Sequence, residues 1–143
     1  MSLTQTATNA FKTGLMNGTF NFNTDTFKMA LYTGAATLDA ATSTYGNTNE
    51  ASGGNYLPGG QSLTVTVTPT TGADPSSTVA YISFANVTWT GAITARGALI
   101  YKYNGTTNPS VCVLDFGSDK TSTTQFQVQF PAATNSSAII RIA

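Results

Sequence analysis

The residues that could perform chemistry are few, and histidine is absent from the 143-residue chain. Without histidine, Ser-His-Asp and Cys-His arrangements, HExxH zinc sites and the commonest general base are excluded together. A glycosidase would need only two carboxylates. The six acidic residues show no clear pairing and lie at Asp25, Asp39, Glu50, Asp74, Asp115 and Asp119. The sequence therefore predicts a protein that is not an enzyme.

Asp115 is the acidic residue with the clearest structural partner. It lies in an apolar segment that is predicted to form a hairpin with the segment containing Arg96. Because carboxylates in such strands are stabilised by cationic partners, we predict a structural ion pair between Arg96 and Asp115. Asp115 and Asp119 flank a glycine turn, but their spacing lacks the graded ligand series of a calcium loop. We therefore predict no metal site.

Three further features have both a chemical and a structural interpretation. Cys112, the single cysteine, lies in an apolar strand pattern, which predicts a small buried residue instead of a reactive thiol. Trp89 could stack on a sugar, but it falls on the inward side of a predicted strand and is predicted to lie in the core. The glycine pairs at 53–54 and 59–60 follow no strand-then-helix pattern, so no phosphate-binding loop is predicted. The sequence predicts no cofactor.

The composition favours protein partners over nucleic acids and membranes. Charged residues make up 8% of the chain, and six cations balance six anions, where about 25% is usual. Threonine, serine, asparagine and glycine supply the polar surface instead, and uncharged polar groups are easier to desolvate than ions. Scattered, balanced charge does not favour phosphate backbones or anionic lipids. We therefore expect large protein contacts, with neither nucleic acid nor membrane as a partner.

Residues 1–18 are predicted to form a short helix or arm. Apolar residues from Leu3 to Leu15 recur at three- and four-residue spacing, with Ser2 as the candidate N-cap and Gly18 as the stop. The narrow apolar stripe must pack against either the domain's own sheet or a neighbouring subunit. The segment lacks the features of a secretion signal, and no later stretch approaches the roughly 20 apolar residues of a membrane span, so we expect synthesis in a cytoplasm.

Residues 19–143 are predicted to form a single all-β domain, an antiparallel β-sandwich or jelly-roll-like barrel of about eight strands. The predicted strands lie at 19–23, 27–32, 62–68, 78–89, 96–103, 110–118, 125–130 and 138–142. The segment 78–89 has apolar residues on both sides and is predicted to be one strand covered on both faces. A long ordered loop is predicted from 33 to 61, and Pro69 is predicted to end a strand before a turn at 70–77. Strand edges with almost no lysine or glutamate favour an assembly in which neighbours cover them.

The second half of the chain contains four distinctive motifs, ARGALIY, VLDFGSDK, FPA and the terminal AIIRIA. With the residues around them, from about Phe27 to the C-terminus, they resemble a family of small virion proteins from tailed bacteriophages. The resemblance implies a structural virion component, and size and chemistry are most similar to a capsid decoration or cement protein that bridges capsomers. It implies a homo-oligomer on the capsid surface, with the major capsid protein and further copies of the chain as partners.

Within that interpretation, the 45–60 part of the long loop is predicted to contact the partner. Tyr45, Tyr56 and Leu57 are the candidate contact residues, because exposed aromatic and apolar side chains are favoured anchors at interfaces. Two alternatives stay open from the sequence. The chain could be a tail or neck component of the virion, or a receptor- or carbohydrate-binding module that uses tyrosine and tryptophan side chains.

Overall fold

A computed structural model describes residues 2–71 and 78–142. The fold is all-β and antiparallel with one short helix, so the predicted fold class is confirmed. Asp74 and most of the predicted turn at 70–77 lie outside the described residues. Within the described ranges, no helix has both the length and the apolar character needed to span a bilayer.

The described elements follow one another with a single helix near the start of the chain. They are β1 (Thr6–Ala7), α1 (Asn9–Asn17), β2 (Phe27–Tyr32), β3 (Gln61–Ser62), β4 (Val65–Thr70), β5 (Ala80–Phe84), β6 (Val87–Thr90), β7 (Thr94–Lys102), β8 (Ser110–Thr121), β9 (Gln125–Val128) and β10 (Ile140–Ile142). They form a five-stranded sheet in the order β1-β8-β7-β2-β3, a three-stranded sheet β10-β5-β4 and a two-stranded sheet β6-β9. All strand pairs are antiparallel.

The five-stranded sheet is buried on both faces at its centre. In β2, Phe27, Met29 and Leu31 turn to one face and join the main core, which the two smaller sheets also line. Ala30 and Tyr32 turn to the opposite face and join a second, smaller core. A strand that is covered on both sides needs apolar residues at nearly every position, and β2 has them. The sequence alternation therefore places these side chains correctly.

The N-terminal helix begins later than predicted. Thr8, and not Ser2, is the N-cap and accepts a hydrogen bond from the amide of Phe11 at 3.2 Å, while Gly18 ends the helix as predicted. Thr6 and Ala7, just before Thr8, form β1 instead of a helical turn and pair with Val113 and Cys112 of β8. Phe11 is buried in the main core. The helix therefore packs against the domain's own sheet.

The prediction of a strand at 19–23 is wrong, because this segment is an irregular turn whose aromatic rings point into the core. Phe20 and Phe22 are buried, and Phe22 stacks on Phe27 with ring centroids 4.5 Å apart. Lys102 fixes the turn by donating to the carbonyl of Thr19 at 2.7 Å. Aromatic burial therefore replaces strand pairing in this segment.

The predicted strand at 78–89 is two strands in different sheets. The strand is interrupted at residues 85–86, between β5 and β6, and this two-residue interruption shifts the side-chain alternation. Ile82 and Phe84 of β5 and Val87 and Trp89 of β6 therefore all reach the main core. The sequence pattern has apolar residues at both odd and even positions because of this shift. It does not reflect a single strand that is buried on both faces.

Pro69 lies within β4 and does not end it, so that prediction is also wrong. β4 is an edge strand of its sheet, where a missing amide donor on the outer side removes no ladder hydrogen bond.

Candidate functional site: the 45–60 loop

The second core lies between the five-stranded sheet and a long irregular segment. On the sheet side it contains Tyr32, Leu99, Tyr101 and Val113, and on the other side the residues following β2 cover it. The predicted ordered loop from 33 to 61 is present, and an isolated bridge between Glu50 and Tyr32 joins it to β2. This face of the sheet is therefore covered by a loop, whereas the other face is covered by strands.

Glu50 is the centre of the 45–60 loop. Its Oε2 accepts a hydrogen bond from the Tyr45 hydroxyl at 2.8 Å. Its Oε1 accepts from the Tyr56 hydroxyl and from the amide of Gly59, the latter at 2.7 Å. A carboxylate can accept several donors at once, and hydrogen bonds to an ionised group are stronger than neutral ones. One half-buried side chain thus joins three points of the loop.

Further tyrosine hydroxyls join the loop to the strands beneath it. Tyr101 of β7 donates to the carbonyl of Gly59 at 2.7 Å, and Tyr32 of β2 donates to the carbonyl of Gly46 at 2.7 Å. The rings of Tyr45 and Tyr101 stack with centroids 4.8 Å apart. In addition, the amide of residue 31 donates to the Tyr56 hydroxyl at 2.9 Å. The loop is therefore fixed to the sheet by hydrogen bonds and ring stacking at several points along its length.

Burial keeps these tyrosines protonated. It is the largest cause that raises the pKa of Tyr101 to about 12, and the negative charge of Glu50 adds to it. Burial is also the largest cause that raises the pKa values of Tyr32, Tyr45 and Tyr56 well above the ordinary value. Glu50 adds to it through its charge and, for Tyr45 and Tyr56, through a hydrogen bond. Efficient proton transfer requires a pKa near the working pH. At neutral pH the cluster therefore acts as a set of hydrogen-bond donors that hold the loop.

The tip of the loop is a tight turn. The amide of Gly60 donates to the carbonyl of Leu57 at 2.9 Å, with Pro58 second and Gly59 third in the turn at φ +94°. Proline followed by a positive-φ glycine is the pattern of a type II turn. A Cβ on Gly60 would lie 1.7 Å from the carbonyl oxygen of Met29, so the main chain lies directly against β2. The Leu57 side chain, 71% exposed, is held outward on this turn.

The structure separates the three predicted contact residues. Leu57 is exposed, and Tyr45 is half-buried against Tyr101. Tyr56 is only 8% exposed, so its prediction as an exposed anchor is wrong. Its hydroxyl reaches Glu50, and its ring lies 5.8 Å from that of Trp89. Tyr56 therefore supports the loop from inside.

Arg96 and Asp115 lie together as the hairpin register predicts. Arg96 Nε is 3.4 Å from Asp115 Oδ1, with the side chains 38% and 27% exposed. The same Oδ1 accepts a hydrogen bond from the amide of Gly117 at 2.9 Å. Water screens a pair with this exposure, so its contribution to stability is small. Within residues 2–71 and 78–142, no cluster of three or more cysteine, aspartate or glutamate side chains could hold a metal ion.

Trp89 and Cys112 are both structural, as predicted. Trp89 is 1% exposed in the main core and offers no surface to a sugar ring. Cys112 is a buried free thiol, and burial raises its pKa to about 12. A thiol with this pKa is protonated and unreactive at neutral pH.

Sequence reasoning missed the role of Glu50 and the ion pair of Lys102 with Asp25, whose Nζ and Oδ2 are 3.2 Å apart. Glu50 is the only glutamate of the chain and lies between Tyr45 and Tyr56. That spacing is a usable signal, although the amide of Gly59 becomes a partner only through the turn. Comparison with protein-family models, curated proteins and solved structures finds no match to this chain.

Proposed function

We propose that this chain is a non-enzymatic structural protein of a tailed-phage virion, a capsid decoration protein that bridges capsomers. Its partners in this proposal are the major capsid protein and further copies of itself, in a homo-oligomer on the capsid surface. The family resemblance of residues 27–143 supports the virion assignment. The geometry of the 45–60 loop supports a binding role over a catalytic one.

The single observation that carries the proposal is the position of Leu57. An exposed leucine on a mobile loop would lose conformational entropy when it bound a partner. Here the loop is already fixed through Glu50, Tyr101 and the turn at Gly60. A preorganised apolar side chain binds at a lower entropic cost, which is a property of interface anchors.

The strand edges give independent support. Six described strands are at sheet edges, and Arg141 is the one charged residue among them; the six are β1, β3, β4, β6, β9 and β10. Monomeric proteins commonly protect exposed edges with lysine, other charges or proline. Apart from Arg141 and Pro69, these edges lack such protection. Edges of this kind are compatible with neighbours that cover them in an assembly.

Copy number in the particle tests the proposal and separates it from a tail or neck role. Virions of a phage whose genome encodes the chain would be purified and analysed by quantitative mass spectrometry. We expect several hundred copies in each particle, as a repeating shell requires. A few to a few dozen copies would place the chain in the tail or neck, and its absence from virions would refute the proposal.

Binding of Leu57→Ser to particles that lack the chain tests the loop itself. We expect at least a ten-fold loss of affinity, because a central apolar anchor contributes on the order of 1.4 kcal/mol or more. Leu57→Met keeps an apolar side chain and should bind nearly as wild type. Tyr103→Ser removes an exposed ring outside the loop and is the matched control. Equal losses in Leu57→Ser and Tyr103→Ser would contradict a specific role for Leu57.

A further inference from the structure

A second surface of the molecule is an apolar groove between α1, β8 and β10. Its volume is about 500 Å³, and its walls include Phe11, Leu15 and Met16 on one side and Ile140 and Ile142 on the other. Met16 is 83% exposed and Ile142 is 50% exposed. Large apolar side chains that are this exposed and this close together mark an interaction surface.

The groove runs along an unpaired strand edge. β10 is the outermost strand of its sheet and pairs only with β5. On the facing wall, β1 pairs with Val113 and Cys112 of β8, and the side-chain oxygen of Gln5 accepts a hydrogen bond from the amide of Asp115 at 3.1 Å. An extended peptide can add to an open edge through main-chain hydrogen bonds while alternate side chains fill the groove.

The charged side chains that line the groove are positive in the described part of the chain. They are Lys12 and Arg141, and none of the acidic residues at 25, 39, 50, 115 and 119 lines it. In the described part of the chain, neither cation lies within ion-pair distance of a carboxylate. Arg141 lies between Ile140 and Ile142 on β10, so it points to the opposite side of the strand from both. A strand added beside β10 would therefore present apolar and charged residues alternately.

These charges argue against a second copy of the chain as the occupant. A two-fold contact across this groove would bring the same patch of both copies together, so that Lys12 and Arg141 of each copy would share one interface. Juxtaposed like charges are unfavourable at interfaces, whereas carboxylates opposite the two cations would be favourable. Charge complementarity therefore selects an acidic segment from a different protein.

We infer that this groove binds an extended segment of a partner protein in which carboxylate residues alternate with apolar ones. The segment adds as a strand beside β10, with its apolar residues on the side of Ile140 and Ile142 and its carboxylates on the side of Arg141, while Lys12 adds to the positive charge at the groove. The inference rests on the proposed function, in which the partner is the capsid protein, and it names the chemistry of the contacting segment.

Two synthetic peptides test this inference on the isolated chain. One is a capped octapeptide of alternating glutamate and valine, and the other has lysine in place of glutamate. We expect the acidic peptide to bind at least ten times more tightly by calorimetry, with affinity that falls as salt rises. Amide shifts in ¹⁵N NMR spectra should follow β10. Equal binding of both peptides, or shifts elsewhere on the molecule, would overturn the inference.

Charge reversal gives the matched variants. Lys12→Glu combined with Arg141→Glu should reverse the preference, so that the lysine peptide binds more tightly than the acidic one. Both side chains are exposed, and Lys12→Glu alone should reduce the preference in part. Lys120→Glu changes an exposed cation outside the groove and should leave the preference unchanged. A dimer that forms with rising concentration in sedimentation and prevents the acidic peptide from binding would refute the acidic-segment assignment.

Particle binding separates this inference from the proposed function. If wild type binds particles and the doubly reversed variant loses at least ten-fold in affinity, the groove is part of the contact. If both bind equally, the groove inference fails and the decoration role stands. If wild type does not bind particles but still prefers the acidic peptide, the decoration role fails and the groove keeps its specificity.

Discussion

The two faces of the five-stranded sheet are covered in different ways. On the main-core side, strands of two further sheets contribute large apolar side chains such as Phe84, Trp89 and Phe126. On the other side, an irregular loop is held by hydroxyl groups of Tyr32 and Tyr101 and by the carboxylate of Glu50. Apolar packing is insensitive to pH and tolerates no loss of volume, whereas a hydrogen-bonded cover depends on protonation.

This difference relates structure to the proposed function. A face that is covered by strands exposes few main-chain groups and few side chains that a partner could contact, apart from the strand edges. A loop fixed by hydrogen bonds can present a side chain such as Leu57 outward without mobility. In the proposed function, the strand side thus supplies most of the stability, and the loop side supplies the contact surface around Leu57.

Trp89→Ala should have the largest effect on stability, because it removes the largest side chain of the main core. The residue is 1% exposed. Truncating a buried tryptophan to alanine costs about 3–5 kcal/mol through lost burial and the cavity it leaves. Urea denaturation followed by circular dichroism measures the loss. Leu57→Ala is the control and should change stability by no more than about 0.5 kcal/mol. Similar losses in the two variants would contradict the comparison of the two faces.

Alkaline pH should weaken the loop side next. Burial raises the pKa values of Tyr32, Tyr56 and Tyr101, so above pH 10 the unfolded chain has lost protons that the folded chain retains. Stability is therefore fully present below pH 10 and falls as pH rises towards the folded pKa values. At pH 10.5 each of these three tyrosines contributes a loss of about 0.8 kcal/mol, or about 2.5 kcal/mol together, and the buried Cys112 thiol of the main core adds about 2 kcal/mol by the same mechanism.

Urea denaturation at pH 8 and pH 10.5 measures this loss. Tyr101→Phe is the matched variant, because it removes one titrating hydroxyl and keeps the ring that stacks on Tyr45. Its pH-dependent loss should be smaller than that of wild type by about 0.8 kcal/mol, the share of one tyrosine. An unchanged pH dependence in this variant would show that other groups cause the alkaline loss.

Glu50→Ala should have a somewhat smaller and more local effect. It leaves the hydroxyls of Tyr45 and Tyr56 and the amide of Gly59 without their acceptor. We expect a loss of about 2 kcal/mol. Hydrogen exchange should increase across residues 45–60 while β5 keeps its protection, because the strand side does not depend on this carboxylate.

Glu50→Gln is the control for Glu50→Ala. It retains one carbonyl oxygen that can accept from Tyr56 and Gly59, and we expect it to lose about half as much stability. A uniform rise in exchange across both faces would contradict the separation of a loop side from a strand side.

The sequence allows the strand side to be predicted better than the loop side. Alternation in β2 assigns Phe27 and Met29 to one face and Tyr32 to the other, because the period of a strand is local. The break between β5 and β6 leaves a pattern that resembles one two-sided strand, so only the fold separates them. In the loop, composition predicts order and turns, but the burial of Tyr56 depends on Glu50 and Trp89. Long-range partners of this kind have no fixed spacing in the sequence.

Arg96→Met should have the smallest effect, although it also removes the partner of a carboxylate. The Arg96 and Asp115 side chains are 38% and 27% exposed, so water and salt already screen their attraction. Pairs of this kind contribute from zero to about 1 kcal/mol, and methionine keeps the apolar stem. We expect a loss within that range in urea denaturation, and one that shrinks further in 1 M NaCl. A salt-independent loss as large as that of Glu50→Ala would show that Asp115 is desolvated like Glu50. The two carboxylates would then no longer differ, although one holds a loop and the other lies on a strand.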